Sequence, residues 1–311
     1  MRISSLRRSL FFLLLTTPPF LAHPQDPNFT LTVPVDEVDL TFHATDTQNL
    51  AVNDLKLNEL TLRDNGIPPG KVLSFQSLQN LPIRAGILVD TSTSMGPHLA
   101  TSRSIALQYA QSVLRQQTDQ AFVMDFGHLT RLLQPWTNDK AALARAIGWL
   151  STGSESRVAG TSIYDTIYRT CRTQFGSINH AAGGNFILLF SDGEDNASFI
   201  GFSQAVDACQ HTNTAIYAFR SEDSTTFGSP GPPTLTQLAQ QTGGRVFAAN
   251  GSAADIRDDL QLIEGDLRSQ YHLIFKPAQL QHDGAFHRLT LEAPNRFLTI
   301  NVRSGYYAPA H

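Results

Sequence analysis

Two short stretches of unbroken apolar side chains, residues 85–89 (AGILV) and 186–190 (FILLF), each run into a turn rich in acid and hydroxyl. Nothing else in the chain constrains its fold as strongly. A continuous apolar run of this length reads as a strand covered on both faces, the kind found in parallel sheets sandwiched by helices. The first run continues into Asp90-Thr91-Ser92-Thr93-Ser94-Met95, the second into Ser191-Asp192-Gly193. Asp90, Ser92 and Ser94 alternate along a turn leaving a buried strand. One carboxylate and two hydroxyls then converge on one point, a set of hard oxygens suited to a small divalent cation. Gly160-Thr161-Ser162 offers a further hydroxyl, and Asp192 a second carboxylate. In open α/β sheets, ligands gather at the carboxyl ends of strands where the winding reverses. The strands ending at Asp90 and Asp192 are therefore expected to flank that point.

Around these runs the pattern alternates strand and helix from about residue 84 to 268. Ile105, Ala106, Tyr109, Ala110, Val113 and Leu114 lie on one helical stripe, and Leu143, Ala146, Ile147 and Leu150 on another. Further helices are expected over 162–173, 202–211, near 235–241 and over 254–269, with strands over 121–126, 130–133, 215–219 and 245–248. This predicts an α/β fold, a doubly wound, mostly parallel sheet with helices on both faces. The ends of the chain differ. Short alternating strands are expected at 29–33, 38–44, 59–63 and 71–75, and again at 271–275, 287–292 and 297–302. Neither set is large enough for a core of its own. The expectation is a small β-sandwich built from both ends, with the α/β domain inserted. The boundaries read as a signal peptide at 1–22, an N-terminal β segment at 23–80, the α/β domain at 81–269 and a C-terminal β segment at 270–307. The Gly- and Pro-rich stretch 222–234 reads as a loop on the sheet edge that carries the oxygen-rich turns.

Residues 1–22 read as an export signal. Arg7-Arg8 precede the apolar stretch 10–15, and Pro18-Pro19 break it before Ala22. The apolar stretch is shorter than the roughly 20 residues a membrane span needs, and no later run is long enough. Charged residues make up 16% and net charge is -4. A nucleic-acid binder would need a basic face, so that class is excluded. The two cysteines, Cys171 and Cys209, are an even count in an exported chain. The helices carrying them should cover the same sheet face, so either a disulfide or two separately buried thiols fits.

The order D-x-S-x-S, then a lone Thr, then S-D-G resembles the metal-ion-dependent adhesion site of von Willebrand factor A-type domains. Leu60-Thr61-Leu62-Arg63-Asp64-Asn65-Gly66, the SDGEDN string at 191–196, Gln270-Tyr271-His272-Leu273 and Arg303-Ser304-Gly305-Tyr306-Tyr307 are similar to an exported bacterial group of VWFA-related domain proteins. The resemblance covers about residues 30–307. It implies that Ser92, Ser94 and Thr161 bind Mg²⁺ through their hydroxyls, with Mn²⁺ or Ca²⁺ as alternatives. It implies that Asp90 and Asp192 act mostly through bound water, and that residues 130–133 form an antiparallel edge strand. It also implies a location in the periplasm, outer envelope or extracellular space, and a partner protein that completes the metal shell with a Glu or Asp. Thr93 stands where Gly is frequent in the family, at a position that is not a ligand.

Other readings of the same residues set the alternatives. Asp90 and Ser94 are also good caps for a helix starting near residue 98. Asp165 reads as an anchor of its helix start, and Glu194, Asp195 and Asn196 as a solvated loop. The ten histidines show no ligand spacing. An enzyme is disfavoured, because a Mg²⁺-dependent phosphoesterase needs a second carboxylate where D-x-S-x-S offers hydroxyls. A structural scaffold in an envelope assembly, with the metal only stabilising it, is the remaining alternative to a binding module.

Overall fold

The computed structural model describes residues 37–152, 160–176, 184–221, 234–279 and 282–309, all within the unit Asp36–His311. In chain order, β1 (Val38–Thr45), β2 (Thr61–Asp64) and β3 (Lys71–Gln79) come first. The α/β region follows with β4 (Arg84–Asp90), α1 (Leu99–Gln108), β5 (Gln120–Phe126), β6 (Thr130–Thr137), α2 (Lys140–Gly148), α3 (Ile163–Thr170) and β7 (Asn185–Ser191). It continues with α4 (Phe202–His211), β8 (Ala215–Arg220), α5 (Thr234–Thr242), β9 (Val246–Ala248) and α6 (Ala253–Arg268). The chain then forms β10 (Ser269–Lys276), β11 (Phe286–Glu292), β12 (Thr299–Val302) and β13 (Gly305–Tyr307). The leader, the strand expected at 29–33 and residues 222–233 of the Gly- and Pro-rich loop lie outside the described residues.

The central sheet has the order β6-β5-β4-β7-β8-β9, and only β6 is antiparallel to its neighbour. The fold is thus a doubly wound α/β sheet, and the winding reverses between β4 and β7. Alternate residues serve opposite layers, as a pleated strand requires. Ile87, Val89, Leu188 and Phe190 pack with Ile105 of α1, Ile147 of α2 and Ile263 of α6. Leu88, Ile187 and Leu189 pack with Ile167 of α3, Val206 of α4 and Leu238 of α5. Gly86 in β4 makes room for this second layer: a Cβ there would lie 2.4 Å from the ring of Phe122. The helices start on local signals. Asp139 accepts from Ala141 N at 2.8 Å before α2. Ser252 and Asp255 exchange bonds in a capping box at α6.

The helix expected over 162–173 runs as α3 and continues in a π-helical turn over Cys171–Phe175. Cys171 and Cys209 are joined by a disulfide between α3's extension and α4, with Cα atoms 5.1 Å apart, and both are fully buried.

Strands from the two ends of the described chain share sheets. One has the order β12-β1-β10-β3, the other β13-β11-β2, and all pairs are antiparallel. Leu40, Phe42, Leu62, Leu273, Phe275 and Leu291 meet in one core between them. The strand expected at 59–63 starts only at Thr61. Glu59 accepts from Lys56 N at 2.7 Å and closes a 3-10 turn over Leu57–Glu59 instead. A buried ion pair fixes the junction with the α/β region. Arg268, the last residue of α6, bonds Asp119 at 2.7 Å, and Asp119 accepts from Ile83 N at 3.0 Å just before β4. Among the described residues no helix is long and apolar enough to cross a membrane.

Candidate metal centre

β4 and β7 are parallel neighbours with Val89 opposite Phe190, so Asp90 and Ser191 finish the two strands side by side. Asp90 is fully buried. One carboxylate oxygen accepts from Ser92 N at 2.9 Å, and the other accepts from the Ser191 hydroxyl at 2.7 Å. Burial pushes its carboxyl up to about 6; the bonds from Ser92 and Ser191 oppose that rise, and the charge of Asp192 adds to it. The capping alternative has little support here: Asp90 bonds its own turn, Ser94 lies inside a 3-10 helix over Thr93–His98 whose N-cap Ser92 makes no side-chain cap bond, and α1 begins only at Leu99 behind His98.

The turn after β4 presents the two serines together. The hydroxyls of Ser92 and Ser94 lie 3.1 Å apart, and Ser94 is exposed. The turn is tied to the neighbouring strand by Thr91, whose N–H and hydroxyl both donate to Phe126 O, at 2.7 and 3.1 Å. After β7, Ser191 accepts from Gly193 N at 3.1 Å while donating to Asp90. Gly193 has φ +89°, the left-handed conformation that lets the chain turn sharply there. Asp192 sits half-buried at this bend, accepting from Glu194 N at 3.0 Å.

Thr161 arrives from a third direction. It is buried, and its loop packs against the turn between β5 and β6. A Cβ on Gly127 would stand 3.7 Å from both Gly160 O and Ser92 N, so the loop before α3 and the turn after β4 meet at this glycine. Ser162 fastens the contact, donating from N and Oγ to Gly127 O at 2.9 Å each. All five expected site residues thus stand on three neighbouring loops at the carboxyl edge of the sheet, around the strand pair β4 and β7.

The residues that hold Thr161 in place are those read from sequence as a solvated loop. Asn196 accepts from Thr161 N at 2.8 Å, and the N–H groups of Asn196 and Ala197 donate back to Thr161 O at 3.1 Å each. Asp195 accepts from Tyr164 N at 3.0 Å and from the Ser198 hydroxyl at 2.6 Å. Asp165 also departs from its expected role. It accepts from Phe199 N at 3.0 Å and Ile200 N at 2.7 Å, so it anchors the loop after β7 rather than its own helix start. The available signal was the density of Asp, Asn and Ser over 195–198, since short polar side chains bond backbone within tight loops.

The donor set fits a divalent cation. Burial of the Asp90 carboxylate is costly, and its raised pKa expresses that cost. Two carboxylates and three hydroxyls supply hard oxygens and leave coordination positions for water or another ligand.

No curated protein matches the chain significantly. Several solved structures resemble it at low identity. The conserved hypothetical protein BatB from Bacteroides thetaiotaomicron is 16% identical, with 58% of this chain and 97% of that one covered and a TM-score of 0.49. A von Willebrand factor type A protein from Catenulispora acidiphila is 14% identical, with 76% and 72% covered and a TM-score of 0.48. Proximal thread matrix protein 1 from the mussel byssus, in a form with a zinc-occupied MIDAS motif, is 11% identical, with 66% and 50% covered and a TM-score of 0.47. One sequence model covers the site itself: residues 86–194, from within β4 to just past Asp192, match the von Willebrand factor type A domain family, whose members are typically protein-interaction domains.

Proposed function

We propose that this chain is an exported, non-enzymatic binding module that holds Mg²⁺ through Asp90, Ser92, Ser94, Thr161 and Asp192 and uses it to engage an acidic residue of a partner protein. The observation that carries the reading is Asp90, a fully buried carboxylate held by two hydrogen bonds next to a second carboxylate. Bound there, the cation supplies an electrophilic position that a Glu or Asp oxygen from outside completes. Ser92 and Ser94 present neutral donors, so the two aspartates alone balance the ion and the site gains no excess negative charge to repel an incoming carboxylate. Ser191, Asn196 and Ser162 position these groups and touch neither metal nor partner. Mn²⁺ and Ca²⁺ are alternative occupants, because hydroxyl and carboxylate oxygens accept all three.

The test is capture of envelope proteins on the immobilised chain, in Mg²⁺ and in chelator. The reading predicts a partner retained only with metal, and lost when that partner's contacting Glu or Asp becomes Gln or Asn. A partner retained equally in chelator would instead assign the chain to scaffolding, with the metal confined to stability.

A further inference from the structure

A cleft of about 520 Å³ opens between the loop after β1 and α6, with Thr45, Leu50 and Ala51 on one side and Asp258, Asp259 and Leu262 on the other. The half of α6 that borders it ends at Arg268, which bonds Asp119 beside the start of β4. The cleft therefore lies toward the amino edge of the central sheet, away from the metal-bearing loops. Two buried residues, His43 and Asp266, also line it. Their charge is settled within the protein: Arg245 Nε and the Tyr217 hydroxyl donate to Asp266 at 3.0 and 3.2 Å, and His43 Nε2 meets its other carboxylate oxygen. Asp258 and Asp259 are different. No lysine or arginine lines the cleft. The charges acting on Asp259 are those of Asp255 and Asp258, both acidic, and burial together with these like charges pushes its carboxyl above the usual range. An acidic helix face alone is ordinary solvated surface. A second observation sets this one apart. Thr45 is only 3% exposed, and its Oγ1 has no hydrogen-bond partner. A buried hydroxyl left unpaired is uncommon and costly, and a ligand in the cleft would satisfy it.

We propose that this cleft binds a small aliphatic diamine. One ammonium group pairs with Asp259 and donates to Thr45 Oγ1, the methylene chain lies against Leu50 and Leu262, and the second ammonium pairs with Asp258. Leu50 is 60% exposed and Leu262 half-buried, so covering them adds apolar burial to the charge pairing. An ammonium group has three donors and no acceptor, which suits two carboxylates and a free hydroxyl oxygen. The aspartates and His43 are not grouped as metal ligands, so an organic cation fits where a metal ion does not. The volume is that of a small-molecule site, roughly 300–1,000 Å³. Two acidic side chains match two ammonium groups, where a lysine side chain brings one. The proposal is independent of the metal centre at the opposite edge of the sheet.

The test titrates cadaverine, n-pentylamine and N-acetyl-lysine-N-methylamide into the chain at low ionic strength and follows backbone amide NMR shifts. Chelator is present throughout, so that the metal centre plays no part. Cadaverine is expected to give saturable shifts at Leu50, Ala51 and Leu262. It should bind about three- to tenfold tighter than n-pentylamine, the margin of one added ion pair at a partly shielded site. Asp258→Asn should erase that margin, and Asp259→Asn should weaken both amines roughly tenfold. Thr45→Val should weaken both amines several-fold, while the thermal midpoint of the ligand-free chain does not fall, because the hydroxyl it removes has no partner there. Shifts that fail to saturate, or that spread evenly over the acidic surface, overturn the site, as does cadaverine affinity unchanged in Asp259→Asn. Binding of N-acetyl-lysine-N-methylamide as tight as that of cadaverine overturns the diamine and assigns the cleft to a lysine of another protein. A lower midpoint in Thr45→Val gives the hydroxyl an internal role and overturns its part in the site.

Discussion

The hydroxyl of Ser191 donates to the buried carboxylate of Asp90 at 2.7 Å and accepts from Gly193 N at 3.1 Å, joining residues 101 apart in sequence at the ends of two parallel strands. Ser191→Ala removes the donor from a buried charge. We expect a loss of about 1–3 kcal/mol in metal-free stability. We also expect roughly tenfold weaker Mg²⁺ binding, the size seen when a partner of a metal ligand is removed. Denaturant unfolding and calorimetric titration measure the two effects. A variant equal to the wild type in both would show that the bond does not prepare the site.

Asn196 is exposed, yet it holds the backbone of Thr161 from both sides. Asn196→Ala is expected to weaken Mg²⁺ binding about tenfold while costing only about 1 kcal/mol of stability. Gly160→Ala acts at the same point by strain. Gly160 has φ +133°, and its Cβ would lie 2.9 Å from Ala197 Cβ and 3.1 Å from Asn196 Oδ1. Both variants should fold, and both should lose affinity before they lose structure.

The raised carboxyl of Asp90 gives the metal-free protein a pH signature. A carboxyl that holds its proton more tightly folded than unfolded stabilises the fold below its unfolded value of 3.8, and that contribution disappears as pH rises through about 6. The full shift corresponds to about 3 kcal/mol, of which about 2 kcal/mol develops between pH 7 and pH 4. It is read as the difference in chelator between the wild type and Asp90→Asn, because the other titrating groups are common to both. In Mg²⁺ the dependence on Asp90 should reverse, since protons then compete with the cation and binding weakens below pH 6.

Cys171 and Cys209 close a loop of 38 residues between α3's extension and α4, at the end of these helices away from the metal-bearing loops. Replacing both with Ala should cost about 2–4 kcal/mol. Mg²⁺ affinity at a temperature where the variant is folded should stay within about twofold. A large loss of affinity there would mean that the disulfide holds α3 and Thr161 in register.

Much of the central fold was legible because its signals are local. The apolar runs at 85–89 and 186–190 needed no distant information to read as buried parallel strands, and the reversal point then followed from strand order. The stripes carrying Ile105 and Leu143 likewise marked helices. The roles of Asp165, Asp195 and Asn196 were not legible, because they consist of bonds to backbone more than 30 residues away, and any acidic loop looks the same before those partners are placed. The short strand Gly305–Tyr307 was hidden for a related reason. At three residues it has no periodicity of its own and exists through pairing with β11. The turn at Leu57–Glu59 displaced a strand start because one side-chain bond from Glu59 outweighed a weak β pattern.

The most direct measurement is thermal unfolding of the chain from residue 23 onward in Mg²⁺, Mn²⁺, Ca²⁺ and chelator, beside Asp90→Ala and Asp192→Ala. A ligand bound only to the folded state stabilises it by about 2.7 kcal/mol at a hundred times its dissociation constant, a rise of several degrees for a chain of this size. The account predicts that rise for the wild type in Mg²⁺ and its loss in both variants. No rise at millimolar concentrations of any of the three metals, or an equal rise in both folded variants, would contradict a metal centre built on Asp90 and Asp192.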